Sequence, residues 1–157
     1  MKKTLSYEEA LAKSAALCSL SEKCISDIQK KLLSWGINNE ESEKIIVRLL
    51  QERYIDENRF AKFFVKDKHR FAKWGKGKII HALKEKGISS ENIQEAIEQI
   101  EEEDYSEQLE TLLKAKLKSI KYKNAYDAKA KLIRFGLGRG FEYDAILDAI
   151  KKFDIEE

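Results

Sequence analysis

The sequence predicts an all-α protein assembled from divergent copies of one helical unit of about fifty residues. Three observations carry that expectation. Proline is absent and glycine occurs only 7 times in 157 residues, while 43% of residues are hydrophobic and 37% charged, a helix-forming set. Period-two β-branched runs, and the turn residues that a compact sheet needs, are missing. Finally, Gly36, Gly87 and Gly136 recur 51 and 49 residues apart, each four places after a leucine (Leu32, Leu83, Leu132) and directly before an aliphatic residue (Ile37, Ile88, Leu137).

The elements follow in order from that register. Ser6-Tyr7-Glu8-Glu9 fits the S-x-x-E capping box and precedes Ala10, Leu11, Ala15 and Leu17, so an extra N-terminal helix is expected to cover the open end of the array. In each copy Ile28, Ile79 or Ala128 stands four residues before the leucine, making an apolar i, i+4 stripe that ends with the glycine at C′. A second buried face falls ten and thirteen residues after each glycine, at Ile46 and Leu49, Ile97 and Ile100, Ile146 and Ala149. Asn39, and Ser89 or Ser90, are its expected N-caps. Tyr54 and Tyr105, eighteen residues after the first two glycines, are expected to open a third helix, with Asp56 as the first cap ahead of the apolar set Phe60, Phe63, Phe64 and Phe71. After Phe153 too little chain remains for a third helix in the last copy. The expected boundaries are 1–20 for the N-terminal helix, 21–72 and 73–122 for two full repeats, and 123–157 for a truncated one.

Composition excludes several classes of function. The start Met1-Lys2-Lys3-Thr4-Leu5 is basic, but Glu8, Glu9 and Lys13 interrupt any apolar segment behind it, so no export signal is expected. No apolar run approaches the ~20 residues that span a bilayer. Cys18 and Cys24 are too few for a disulfide framework or a structural zinc site, which leaves reduced thiols in the cytoplasm as the expectation and redox sensing as the alternative. His69 and His81, twelve residues apart, fit no zinc spacing. No nucleophile elbow, P-loop or dinucleotide fingerprint occurs, so the expectation is a binding protein with no catalytic residue, metal or cofactor.

Charge is segregated. Residues 59–86 hold ten basic and two acidic residues, residues 114–139 nine and one, and residues 91–110 between them nine acidic and no basic ones, although the whole chain is only +2. Arg59, Lys62, Lys66, Arg70 and Lys73 recur at helical spacing along one side of a helix, followed by Lys76 and Lys78. Lys121, Lys123, Lys131 and Arg134 form a looser second set. Such clustering suits a polyanion or an acidic protein surface, and equally a solvated helical face balanced by the acidic segment. Trp74, in Lys73-Trp74-Gly75-Lys76-Gly77-Lys78, is the aromatic expected to be most exposed. The glycine pair beside it suits either close approach to phosphate or a turn between helices. Phe60, Phe63 and Phe64 are expected in the core, and the run Glu101-Glu102-Glu103-Asp104 on a solvated helix junction.

Taken together, Ser21-Glu22 ahead of a helix ending Leu32-x-x-x-Gly36, the string Tyr54-Ile55-Asp56-Glu57-Asn58-Arg59-Phe60-Ala61, and Arg70 with Trp74-Gly75-Lys76-Gly77-Lys78-Ile79-Ile80 and Leu83-Lys84-Glu85-Lys86-Gly87-Ile88 resemble the RecX regulatory-protein family of bacteria over about residues 15–150. The resemblance implies an elongated, curved array of tandem three-helix units. It implies a regulator, mostly an inhibitor, of the RecA filament's ATPase, strand-exchange and co-protease activities in recombination, DNA repair and the SOS response. The implied partners are the RecA filament and single- or double-stranded DNA, with no membrane, and a monomer is expected. The family's basic surface corresponds to the Arg59 to Lys78 stretch. A direct nucleic-acid-binding helical module that acts without RecA is the alternative.

Overall fold

The computed structural model describes residues 5–155, and among them it holds nine helices and no strand. These are α1 (Tyr7–Leu20), α2 (Ile25–Ser34), α3 (Asn39–Gln51), α4 (Glu57–Arg70), α5 (Lys76–Glu85), α6 (Ser90–Ile97), α7 (Glu102–Ser119), α8 (Ala125–Gly138) and α9 (Tyr143–Ile150). The basic start at residues 1–4 and the last two glutamates lie outside the described residues. No described helix is long and apolar enough to cross a membrane.

The chain forms two compact units, one holding the residues up to Phe63 with Leu83–Gln94, the other Phe64–Ala82 with the chain from Glu95 onward. The first is built on Ala10, Ile28, Leu32, Ile37, Ile45, Leu49 and Ile55. The second is built on Tyr105, Leu109, Leu113, Leu132, Phe141, Ile146 and Ile150. The stripe residues Ile28, Leu32, Ile79, Leu83, Ala128 and Leu132 are all fully buried. Each such Ile or Leu contributes roughly 1.5–3 kcal/mol of transfer free energy.

Several helices start behind a short polar side chain that caps them. The Ser6–Glu9 capping box closes α1, with Glu9 N–H donating to Ser6 Oγ at 3.2 Å and Ser6 N–H to Glu9 Oε1 at 3.4 Å. Asp56 Oδ1 accepts from Arg59 N–H at 3.0 Å ahead of α4, and Ser89 Oγ from Asn92 N–H at 3.2 Å ahead of α6. The cap of α3 is Asn38 rather than Asn39: Asn38 Oδ1 accepts from Glu41 N–H at 2.9 Å, and Asn39 is already helical. Tyr105 does not open a helix either. It lies inside α7, whose N-cap is Glu101, and is buried because that position faces the core.

The first two glycines end their helices as expected. Gly36 (φ 78°) and Gly87 (φ 83°) take the left-handed conformation, and Ile37 and Ile88 donate back to Leu32 and Leu83 at 3.0 and 3.1 Å, a Schellman closure. The third copy is displaced by one turn. Gly136 lies within α8, and the closure is made by Gly140 (φ 95°), with Phe141 N–H donating to the Gly136 carbonyl at 3.0 Å. Phe141 is buried in consequence, and Leu137 is 47% exposed. Gly136 is a close contact of another kind: a Cβ there would stand 2.6 Å from Ile146 Cδ1, so the Ile146 side chain would have to shift. On α4, Phe60 is buried as expected, but Phe63 is 50% exposed, which removes it from the core, and Phe71, just after the helix, is 80% exposed.

The two caps offered for α3 are separable in urea denaturation. Asn38→Ala loses about 1 kcal/mol, the usual cost of deleting an N-cap, whereas Asn39→Ala, at an exposed first-turn position, stays within about 0.5 kcal/mol of wild type.

Candidate polyanion-binding surface

The second half of α4, the loop after it and the start of α5 carry four exposed cations of the second unit, Lys66, Arg70, Lys73 and Lys78. The loop is held by backbone hydrogen bonds together with the side chains of Arg139 and Tyr105. Trp74 N–H donates to the Lys68 carbonyl at 3.0 Å, and Lys73 sits at φ 58°, a left-handed conformation that costs a non-glycine residue energy. Gly75 N–H donates to the Arg139 carbonyl at 2.7 Å and Gly77 N–H to the Gly140 carbonyl at 3.0 Å, while Arg139 Nη1 returns a bond to the Ala72 carbonyl at 3.0 Å. A Cβ on Gly75 would lie 2.3 Å from the Gly140 carbonyl carbon. Of the two roles open to the glycine pair, the turn is therefore realised, and both N–H groups are already used.

Tyr105 completes the clamp. Its hydroxyl accepts from Lys76 N–H at 2.9 Å and donates to Glu142 Oε2 at 2.9 Å. Burial pushes this phenol well above its ordinary range, so it remains a neutral donor and acceptor.

On this frame the expected basic residues separate. Lys66, Arg70, Lys73 and Lys78 are exposed. Lys76 is turned to internal work, its Nζ 3.3 Å from Glu102 and 4.5 Å over the Tyr105 ring. Trp74 is half-buried, not the freely exposed ring expected. Phe64 meets it edge-on at 6.5 Å, and the Nζ atoms of Lys68 and Lys78 stand 5.0 and 4.6 Å from its centroid. Lys68 was outside the expected set because it falls off the Arg59-to-Lys73 row. Its position four residues after Phe64, whose ring it also covers at 5.4 Å, is the signal that marks it.

In the first unit Arg59 is committed internally: Nε–H donates to Glu22 at 2.8 Å, and Nη2 to the Arg53 and Tyr54 carbonyls at 3.2 and 3.4 Å. Lys62 is half-buried. In the second basic stretch Lys131 Nζ pairs with Asp127 at 3.2 Å and donates to the Lys121 carbonyl at 2.6 Å, while Lys121, Lys123 and Arg134 are exposed.

A cleft of about 290 Å³ adjoins Lys66 and Arg70, lined also by Val65, His69, Asp104 and Gln108. Gln108 Nε2 donates to the His69 carbonyl, while Gln108 Oε1 and His69 Nδ1 are buried without a hydrogen-bond partner among the described residues. Burial lowers the His69 pKa, Asp104 opposes that shift, and Arg70, Lys76 and Lys73 add to it. No group of three or more His, Cys, Asp or Glu side chains suited to a metal ion occurs among the described residues.

Comparison with known proteins gives a consistent set of matches. The family model for the RecX second three-helix domain matches residues 56–97, and that for the RecX third three-helix domain matches residues 102–150. These spans take in α4 to α6 and α7 to α9. Regulatory protein RecX of Clostridium botulinum (strain Eklund 17B / Type B) is 31% identical over 156 residues, covering 96% of this chain and 73% of the relative. Its counterpart in Oceanobacillus iheyensis is 32% identical over 139 residues, covering 87% and 49%. The crystal structure of RecX from Lactobacillus salivarius superposes with a TM-score of 0.82 at 20% identity, covering 93% of this chain and 95% of that one. A second crystal structure, of regulatory protein RecX, gives 0.85 at 22%, covering 93% and 72%.

Two substitutions test the clamp and the cleft. Gly75→Ala forces backbone apart and is expected to cost about 3 kcal/mol or more, read as a fall in the urea midpoint. His69 has a folded pKa below its ordinary 6.5, so the stability it contributes is complete above that value and is lost as pH falls through it. Thermal scans from pH 7.5 to 5 should therefore show a drop in Tm that His69→Gln diminishes; an identical drop in the variant would assign it to other groups.

Proposed function

The chain belongs to the RecX family of regulatory proteins, and from that premise we propose that it binds the RecA recombinase filament in the cytoplasm and lowers its ATPase, strand-exchange and co-protease activities. It acts in this reading as a monomer, by binding alone. The relatives are named as regulatory proteins, which accords with a role that needs no catalytic group.

The observation that carries the choice of surface is the exposed row Lys66 and Arg70 on α4 and Lys73 on its loop, followed by Lys78, with the loop between them held by the backbone bonds of Gly75 and Gly77. A filament of protein on DNA offers repeated carboxylates and phosphates, and a helical array presents cations at repeated spacing. Arg59 is left out of the contact set, since its guanidinium is held by Glu22 and two carbonyls. Lys121, Lys123 and Arg134 form a secondary candidate surface.

A second reading, direct binding of nucleic acid without RecA, is favoured by Phe71, which is 80% exposed amid these cations, as a base-stacking side chain would be. Titrating labelled single-stranded DNA with and without RecA separates the two. Strong binding only on the filament supports the first reading, and equal binding to bare DNA, with a steep salt dependence, supports the second.

The combined variant Lys66→Glu, Arg70→Glu, Lys73→Glu should lose inhibition of RecA ATPase while its far-ultraviolet circular dichroism remains that of wild type. Undiminished inhibition by the folded variant would remove this surface from the contact.

A further inference from the structure

We propose that Trp74 is a positioning residue: its indole holds the ammonium groups of Lys68 and Lys78 as a preformed cationic pair for the phosphates of single-stranded DNA, and it does not itself stack on a base. The inference rests on the proposed function, in which this surface meets a RecA filament on DNA.

The geometry supports holding rather than stacking. Lys68 Nζ and Lys78 Nζ stand 5.0 and 4.6 Å from the ring centroid, inside the range in which a cation is attracted by the ring quadrupole, and Phe64 packs its edge at 6.5 Å. A half-buried indole so occupied has little face left for a base, whereas Phe71, 80% exposed and three residues before it in the chain, has one. The loop is also built for placement: the Trp74 N–H is bonded at 3.0 Å to the Lys68 carbonyl, and the Gly75 N–H next to it at 2.7 Å to Arg139. Lys68 Nζ also lies 3.9 Å from Asp67 Oδ2, at the outer limit of an ion pair, and 5.4 Å over the Phe64 ring, so the indole is one of three groups that place it. Lys78 lies in the first turn of α5, which contains no acidic residue, so its charge opposes the helix dipole and gains from the indole. Each ammonium can meet a phosphate oxygen as a point charge. Phe71, 80% exposed beside the pair, offers an aromatic face for a base, and cations next to a stacking ring suit a single strand better than a purely acidic protein surface.

The test is a double-mutant cycle on the full chain. Binding to a labelled oligonucleotide, bare and coated with RecA, is measured for wild type, Trp74→Leu, Lys68→Ala/Lys78→Ala and the triple variant between 50 and 200 mM salt. Trp74→Leu should weaken binding about three- to tenfold. It should flatten the salt slope by about 1–2, as the lysine pair does, and add little to the lysine variant. A Trp74→Leu loss that leaves the salt slope unchanged and adds fully to the lysine loss would show stacking and overturn the proposal. A second readout needs no partner. The Cε protons of Lys68 and Lys78 should be shifted upfield by the indole ring current in wild type and return toward free-lysine positions in Trp74→Leu. Free-lysine positions in wild type would also overturn it. Wild-type protein that binds neither filament nor bare strand refutes the proposed function instead, and the ring-current shifts then still decide whether Trp74 holds the pair.

Discussion

The close approach of the loop after α4 to the turn around Gly140 governs the geometry of the second unit. Gly75 and Gly140 carry no Cβ, so two stretches of backbone meet directly, and N–H groups that burial would otherwise leave unpaired are bonded at 2.7 and 3.0 Å. Three helices take their positions from it. The first turn of α5 begins at the loop, Tyr105 of α7 joins Lys76 to Glu142, and Glu142 is the N-cap of α9. A side chain at either glycine would separate these parts, and the cations of the loop would lose their common origin.

The sequence made the all-α class and the buried stripe legible, because glycine, proline and i, i+4 spacing are local signals. The third copy shows where that legibility stops. Reading Gly136 as the counterpart of Gly36 and Gly87 places Ile146 and Ala149 on a buried face, and they are buried. Yet the helix closes at Gly140, where the caps Asn38, Ser89 and Glu142 fall into step two residues after Gly36, Gly87 and Gly140. A slip of four residues is close to one turn, so it returns each side chain to nearly the same face and leaves the hydrophobic pattern unchanged. Only the closing hydrogen bonds, which depend on φ at a single residue, distinguish the two registers.

Helical spacing was likewise unable to sort the cations by use. Arg59 belongs to the same row as Lys66 and Arg70, but Glu22 lies 37 residues away in the chain, and no local pattern announces that it occupies the guanidinium. Lys76 is diverted in the same way by Glu102 and Tyr105. Lys68 shows the reverse case: it lies off the row, and only the pairing of a loop aromatic with a lysine on the preceding helix brings it into the surface. Charge density in sequence thus overstates some members of the site and misses others, since partners arrive through tertiary contacts.

The dipole of each helix separates the two basic stretches further. In α7 the acids Glu102, Glu103 and Asp104 stand in the first turn and Lys116 and Lys118 in the last, the arrangement an isolated helix prefers by roughly 0.3–1 kcal/mol per charge. The alternation of acidic and basic segments from residue 101 to 118 therefore has a local explanation and needs no partner. The start of α5 is opposite in sense: Lys76 and Lys78 occupy a first turn with no acidic residue, where the dipole disfavours them. Local physics would place carboxylates there. Charges kept against that preference, on a loop held by backbone, require compensation from beyond the helix, which Glu102 and Tyr105 supply to Lys76 and Trp74 supplies to Lys78. By this criterion the start of α5 is a stronger functional signal than the end of α7.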